Sequence, residues 1–211
     1  QFRFVHGPIF SNVVLADEIN RTPPKTQAAL LQAMQEYEVT SAGKTYQLDL
    51  PFFVMATQNP IEQEGTYPLP EAQLDRFMFS IDVGYPSLDH EVDIVTRTTG
   101  ARQEPIEPVL DAAELMRFQE AGLGIVASPE VSRSAVTVAT MTRPGDARAP
   151  QAVRDYVAWG AGPRASQVRV LGAQARAALH GRPQASREDV RAAIRPVPGH
   201  RVLLNFQAEA E

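Results

Sequence analysis

The spacing of apolar residues changes part-way along the chain. The run from Asn12 through Val13-Val14-Leu15-Ala16 ends in Asp17-Glu18, and a second run, Phe52-Phe53-Val54-Met55-Ala56-Thr57, ends in Gln58-Asn59-Pro60. Short apolar runs without alternation are the pattern of strands covered on both faces in a parallel sheet. Between them Ala28, Leu30, Leu31 and Met34 recur at helical spacing behind Thr22-Pro23-Pro24. That predicts a helix capped by Thr22, opened by proline and ending near Glu38. Val39 to Leu50 alternates about Ser41-Ala42-Gly43-Lys44, a hairpin with glycine at its turn. A loop to Pro70, a short helix from Glu71 to Phe77 and a third strand from Met78 to Val83 complete the pattern. Strands and helices in alternation, with polar residues where strands end, make an α/β sheet whose ligands bind at its carboxyl edge.

After Gly84-Tyr85-Pro86-Ser87 the period becomes helical, and the reading is two domains, residues 1–85 and 86–211. Ser87 can cap the helix that Leu88, Val92 and Val95 mark. Helices are expected over Leu88 to Thr99, Ala112 to Ala121, Pro129 to Thr142, Pro150 to Trp159, Pro163 to His180 and Arg187 to Ile194, the last capped by Ser186 with Asp189 three residues on. The segment Arg201 to Phe206 reads as a terminal strand or an extended tail.

Composition narrows the class. The 211 residues are 44% hydrophobic and 21% charged, enough for a core and too polar for a membrane protein. A formal charge of -5 argues against a nucleic acid held by bulk charge. The charge is uneven: residues 1–105 carry 7 basic and 14 acidic side chains, the remainder 13 and 11. The absence of cysteine excludes disulfides and thiolate sites and favours a reducing, cytoplasmic setting. The chain opens on Gln1 and a strand-like Phe2-Arg3-Phe4-Val5, the pattern of a chain that begins inside a domain.

Asp17-Glu18 is the first candidate for chemistry. A phosphate-bound Mg²⁺ needs a carboxylate, and hydrolysis needs another to orient and deprotonate water. Adjacent acids where a strand leaves the sheet can divide those tasks, although acids in such places also serve as solvated turn residues. Asn59, at the end of the next strand, would stand beside them if the two strands are neighbours, and such a residue can contact both a terminal phosphate and its attacking water; an Asx turn before Pro60 is compatible with that role. Gly43-Lys44-Thr45 looks like the end of a phosphate-binding P-loop. Glu38 stands where that motif requires its earlier glycine, so a hairpin turn is preferred.

Four blocks then carry a resemblance: Gly7-Pro8-Ile9-Phe10, Leu15-Ala16-Asp17-Glu18-Ile19-Asn20-Arg21, Ala56 to Tyr67 and Glu71-Ala72-Gln73-Leu74-Asp75-Arg76-Phe77. Together they resemble the MoxR family of AAA+ ATPases, and a looser similarity continues through Gly160-Ala161-Gly162-Pro163-Arg164-Ala165-Ser166. The resemblance implies an AAA+ P-loop NTPase-type parallel sheet followed by an all-α lid. By position, Asp17 would serve Mg²⁺ directly or through water, Glu18 would activate water, and Asn59 would be the sensor 1 residue. Arg76 would be the arginine finger offered to a neighbouring subunit, and Arg164 the sensor 2 arginine reaching the γ-phosphate of ATP. Surface ion pairing of Arg76 with Asp75 or Glu71, and a solvated first-turn Arg164, are the blander readings. Gly162 replaces the family's more frequent serine cap before Pro163.

The family further implies a homo-oligomer, a hexameric ring, with a von Willebrand factor A domain partner and a client protein complex that it matures or remodels. A sister-group activator or metal-insertion ATPase, and a non-hydrolysing scaffold with a degenerate P-loop, are the alternatives. No P-loop stands in these residues; it is expected upstream, and the 211 residues alone are expected to be inactive.

Overall fold

The computed structural model describes residues 4–59, 65–100 and 106–210. The start of the chain as far as Arg3 and the Pro60–Glu64 part of the expected loop lie outside the described residues.

Strands β1 (Val13–Ala16) and β4 (Phe53–Ala56) pair in parallel, with Val13 opposite Phe53 and Ala16 opposite Ala56. The chain between them supplies helix α1 (Pro24–Glu36) and the hairpin β2 (Glu38–Ser41) and β3 (Lys44–Gln47). Ala42 and Gly43 both take positive φ in the two-residue turn, the conformation that matches the twist of the flanking strands. Helix α1 starts behind Pro23 rather than Thr22, whose hydroxyl donates instead to the Ile19 carbonyl at 2.7 Å. Tyr37 closes it in the left-handed region.

Other expectations fail in this half. Val13, Leu15, Phe53 and Met55 stay substantially exposed, so one face of the strand pair is open where both were expected to be covered. No strand forms over Met78 to Val83. The helix before it, α2 (Glu71–Leu74), is also shorter than expected. The carbonyls of Asp75, Phe77 and Met78 are taken by the guanidinium of Arg201, and the Ser80 amide donates to Pro196, so these groups are spent on the C-terminal segment instead of a ladder.

The helical half contains α3 (Leu88–Thr98), α4 (Ala112–Leu123), α5 (Pro129–Thr140), α6 (Gln151–Tyr156), α7 (Pro163–Leu179), α8 (Arg187–Ala192) and α9 (Phe206–Ala210). Ser87 caps α3 as expected, accepting from the His90 amide, and Asp111 and Ser186 form capping boxes on α4 and α8. Val131 and Ala135 of α5, Ala173 and Ala177 of α7 and Val190 of α8 make one core cluster; Ala139, Ala165, Val168 and Val197 belong to a second. Small side chains let the helix axes approach closely.

This half is not purely helical. Helix α6 stops at Tyr156, three residues before the expected end, because Val157 turns extended and begins β5 (Val157–Trp159), antiparallel to β6 (Leu203–Leu204). Within the segment read as strand or tail, Leu203–Leu204 is therefore a strand, paired with the residues that follow α6.

Candidate active site

The strand register brings Ala16 opposite Ala56, so Asp17 and Thr57 leave the sheet side by side. The Thr57 amide donates to the Ala16 carbonyl and the Ile19 amide donates to the Thr57 carbonyl, both at 3.0 Å. The Thr57 hydroxyl donates to Asp17 Oδ1 at 2.5 Å and accepts from the Glu18 amide at 2.9 Å. Glu18 itself has φ 48° and ψ 49°. A non-glycine residue in that region costs on the order of 1–3 kcal/mol and persists where its surroundings hold it; here Thr57 does so. The Glu18 carboxylate accepts from Arg21 Nη1 at 3.1 Å.

Asn59 lies half-buried two residues beyond Thr57, on the same strand exit. Asp17, Glu18 and Asn59 thus gather at the carboxyl edge, as the sequence predicted. Thr57 was read only as a strand end, yet it ties its own exit to that of β1. Gln27 was missed as well: fully buried on α1, it donates to the carbonyls of Ile19 and Tyr67 and so clamps the turn after Glu18 to the segment after the loop. A threonine closing an apolar run and a glutamine inside an apolar helix stripe were the available signals.

The two arginines form a separate group. Arg76 hydrogen-bonds Gln35 of α1 rather than Asp75 or Glu71. Arg164, in the first turn of α7, has Nη1 3.8 Å from Asp75 Oδ2. Neither pairs with Asp17 or Glu18. The approach to Arg164 is set by close backbone contact: a Cβ on Gly160 would stand 2.3 Å from the Thr142 carbonyl oxygen. Thr142 and Arg143 then bind the amide and carbonyl of Ala161 at 2.9 and 3.0 Å. Gly162 and Pro163 open the helix with no side-chain cap. A cavity of about 460 Å³ beside this helix start is lined by Arg143, Pro144, Trp159, Gly160 and Gly162 and does not reach the carboxylates.

The model of the ATPase family associated with various cellular activities (AAA) matches residues 1–79, and that of the AAA lid domain matches residues 149–211. Chaperone MoxR1 of Mycobacterium tuberculosis is 42% identical over 205 residues, covering 97% of this chain and 54% of its own length. The chain belongs to the MoxR family of AAA+ ATPases. Another MoxR relative, Protein MoxR of Methylorubrum extorquens, is 31% identical over 92% of this chain and 59% of its own. The uncharacterized protein YeaC of Bacillus subtilis is 42% identical over the whole chain and 63% of its own. A crystal structure of a protein assigned as an ATPase from Cytophaga hutchinsonii superposes with TM-score 0.90 at 37% identity, over 97% of this chain and 62% of that one. The chain therefore spans between half and two thirds of the length of these relatives. Its parallel strands and helical lid have the AAA+ fold. Asp17, Glu18, Asn59 and Arg76 fall within the AAA match and Arg164 within the lid match.

Proposed function

We propose that the full-length protein is a Mg²⁺-dependent ATPase that works as a homo-oligomeric, hexameric ring in the cytoplasm. In this reading it drives maturation or remodelling of a client protein complex, alongside a partner with a von Willebrand factor A domain. Residues 1–85 carry the catalytic half and residues 86–211 the lid. The name of the Mycobacterium relative, a chaperone, supports the general role.

The observation that carries the proposal is the pair of adjacent acids at the exit of β1, the Asp17 carboxylate and the Glu18 main-chain amide both held by Thr57, beside the exit that bears Asn59. Mg²⁺ characteristically rests on one or two protein carboxylates together with substrate phosphates. Asp17, exposed and already oriented, fits that demand. When bound, the ion neutralises charge on the phosphate oxygens. Glu18 accepts the proton of the attacking water, and Asn59 donates to the terminal phosphate while holding that water. Arg76 serves the nucleotide of a neighbouring copy and Arg164 the γ-phosphate of its own. Arginine suits both posts because it stays charged and its planar fork donates to two oxygens.

The test is Glu18→Gln in the full-length protein, compared with the 211 residues alone. Phosphate release is expected to fall about 100-fold or more while ATP binding is retained, as expected when a general base is removed. The 211-residue chain, which contains no Gly-x-x-x-x-Gly-Lys-Ser/Thr segment, is expected to release none. Undiminished turnover by Glu18→Gln would sink the assigned mechanism.

A further inference from the structure

Arg201 lies in the segment after α8, and its side chain is 1% exposed. Its fork is fully engaged. Nε donates to Asp75 Oδ1 at 2.7 Å, Nη1 to the carbonyls of Val197 and Met78 at 2.7 and 3.0 Å, and Nη2 to those of Asp75 and Phe77. Three of these acceptors are main-chain groups of residues 75–78. Within that stretch only the Arg76 carbonyl is left out, so the guanidinium of Arg201 grips the backbone on both sides of Arg76. His200 adds a contact from its ring to the Phe77 carbonyl at 3.0 Å, and the Ser80 amide donates to Pro196 at 2.8 Å.

Asp75 has a second cation. Its Oδ2 stands 3.8 Å from Arg164 Nη1, while Oδ1 is held by Arg201. Two arginines from distant parts of the helical half thus converge on the residue next to Arg76. A side chain that must reach a phosphate on another copy gains from a fixed base, since the arm itself is long and rotamer-rich.

We propose that Arg201 and Asp75 are positioning residues that tie the lid to Arg76. Arg201 fixes the backbone from which Arg76 is presented to a neighbouring copy, and Asp75 supplies a resting partner for Arg164 when no γ-phosphate is there to take it. Nucleotide in one subunit would then alter what Asp75 holds and, through it, the arginine offered to the next. The proposal rests on the roles of Arg76 and Arg164 given under Proposed function.

The test mixes variants of the full-length protein. Arg201→Lys keeps the charge and loses the fork; its kcat is expected to drop ~10-fold or more with KM for ATP nearly unchanged, the mark of misplacement rather than lost binding. Glu18→Gln subunits cannot hydrolyse but present a sound Arg76. In mixed assemblies an Arg201→Lys site beside a Glu18→Gln subunit receives that arginine, so turnover is expected to rise above the sum of the two variants. The isosteric Asp75→Asn is used in the same way and stands in if Arg201→Lys does not fold. Recovery in a mixture of Arg76→Ala with Glu18→Gln, but in neither of the other mixtures, overturns the positioning role and leaves the finger assignment standing. No recovery with Arg76→Ala either overturns the finger assignment, and this proposal with it. Wild-type turnover by both Arg201→Lys and Asp75→Asn overturns it outright.

Discussion

Thr57 shows how much one hydroxyl can organise. It holds the carboxylate of Asp17 and the amide of Glu18 at once, so the two acids leave the strand in a set geometry and Glu18 keeps its left-handed backbone. Thr57→Val preserves the shape of the side chain and removes both bonds. In the full-length protein it is expected to lower kcat ~10- to 100-fold, because a small displacement of reacting groups is costly, while the thermal midpoint moves by only a few degrees. Steady-state phosphate release and a melting curve check this, and unchanged kcat would show that Thr57 does not orient the pair. The two acids and Asn59 were legible in the sequence because each closes an apolar run. The bonds of Thr57 were not, because they join residues 39 and 40 positions apart through a register that no local pattern states.

At the scale of elements, the end of α7 and the start of α8 are locked by a buried anion. The Asp189 side chain is 0% exposed and accepts from Arg176 Nη1 at 2.9 Å, Arg182 Nη1 and Nη2 at 2.8 and 2.7 Å and Ser186 N and Oγ at 2.9 and 2.8 Å. The bonds from Arg182 are the largest cause holding its carboxyl well below the usual carboxylate range, ahead of the opposing effect of burial and the help of Ser186 and Arg176. A carboxyl whose folded pKa is depressed contributes stability that is fully present above its unfolded pKa of roughly 3.9 and is lost as pH falls below that value. Asp189→Asn is expected to cost about 3–5 kcal/mol, since it takes the anion away from the donors and the two arginines gathered on it, and to flatten the loss of stability as the pH falls below about 4. Denaturant unfolding at several pH values measures both effects. The capping box was visible in the sequence from Ser186 and Asp189; the two arginines that converge on it were not, as one lies 13 residues away on the preceding helix.

Over the whole molecule, the helical half carries charges that a local reading would have placed in solvent. Arg169 of α7 is 0% exposed, and its Nε, Nη1 and Nη2 have no hydrogen-bond partner. Burial first, and the charge of Arg201 second, push its guanidinium pKa down. Replacing an uncompensated buried cation by an unbranched apolar side chain removes a desolvation cost, so Arg169→Met is expected to raise the unfolding free energy by ~1–4 kcal/mol. Denaturant midpoints of the two proteins decide it, and a lower midpoint for the variant would refute the reading. Periodicity and end residues by themselves determined where β1, β4 and most helices lie, the hairpin, the caps at Ser87 and Ser186 and the place of the acidic pair at a strand end, because those depend on neighbours within one or two turns of chain. The tertiary structure alone decided that Met78 to Val83 is no strand, that β5 and β6 interrupt the helical half, and that Arg201 and Asp75 join the lid to the backbone around Arg76. In each case the outcome turned on which distant group satisfied a main-chain donor or acceptor, and that partner is chosen by packing in three dimensions rather than by anything local in the sequence.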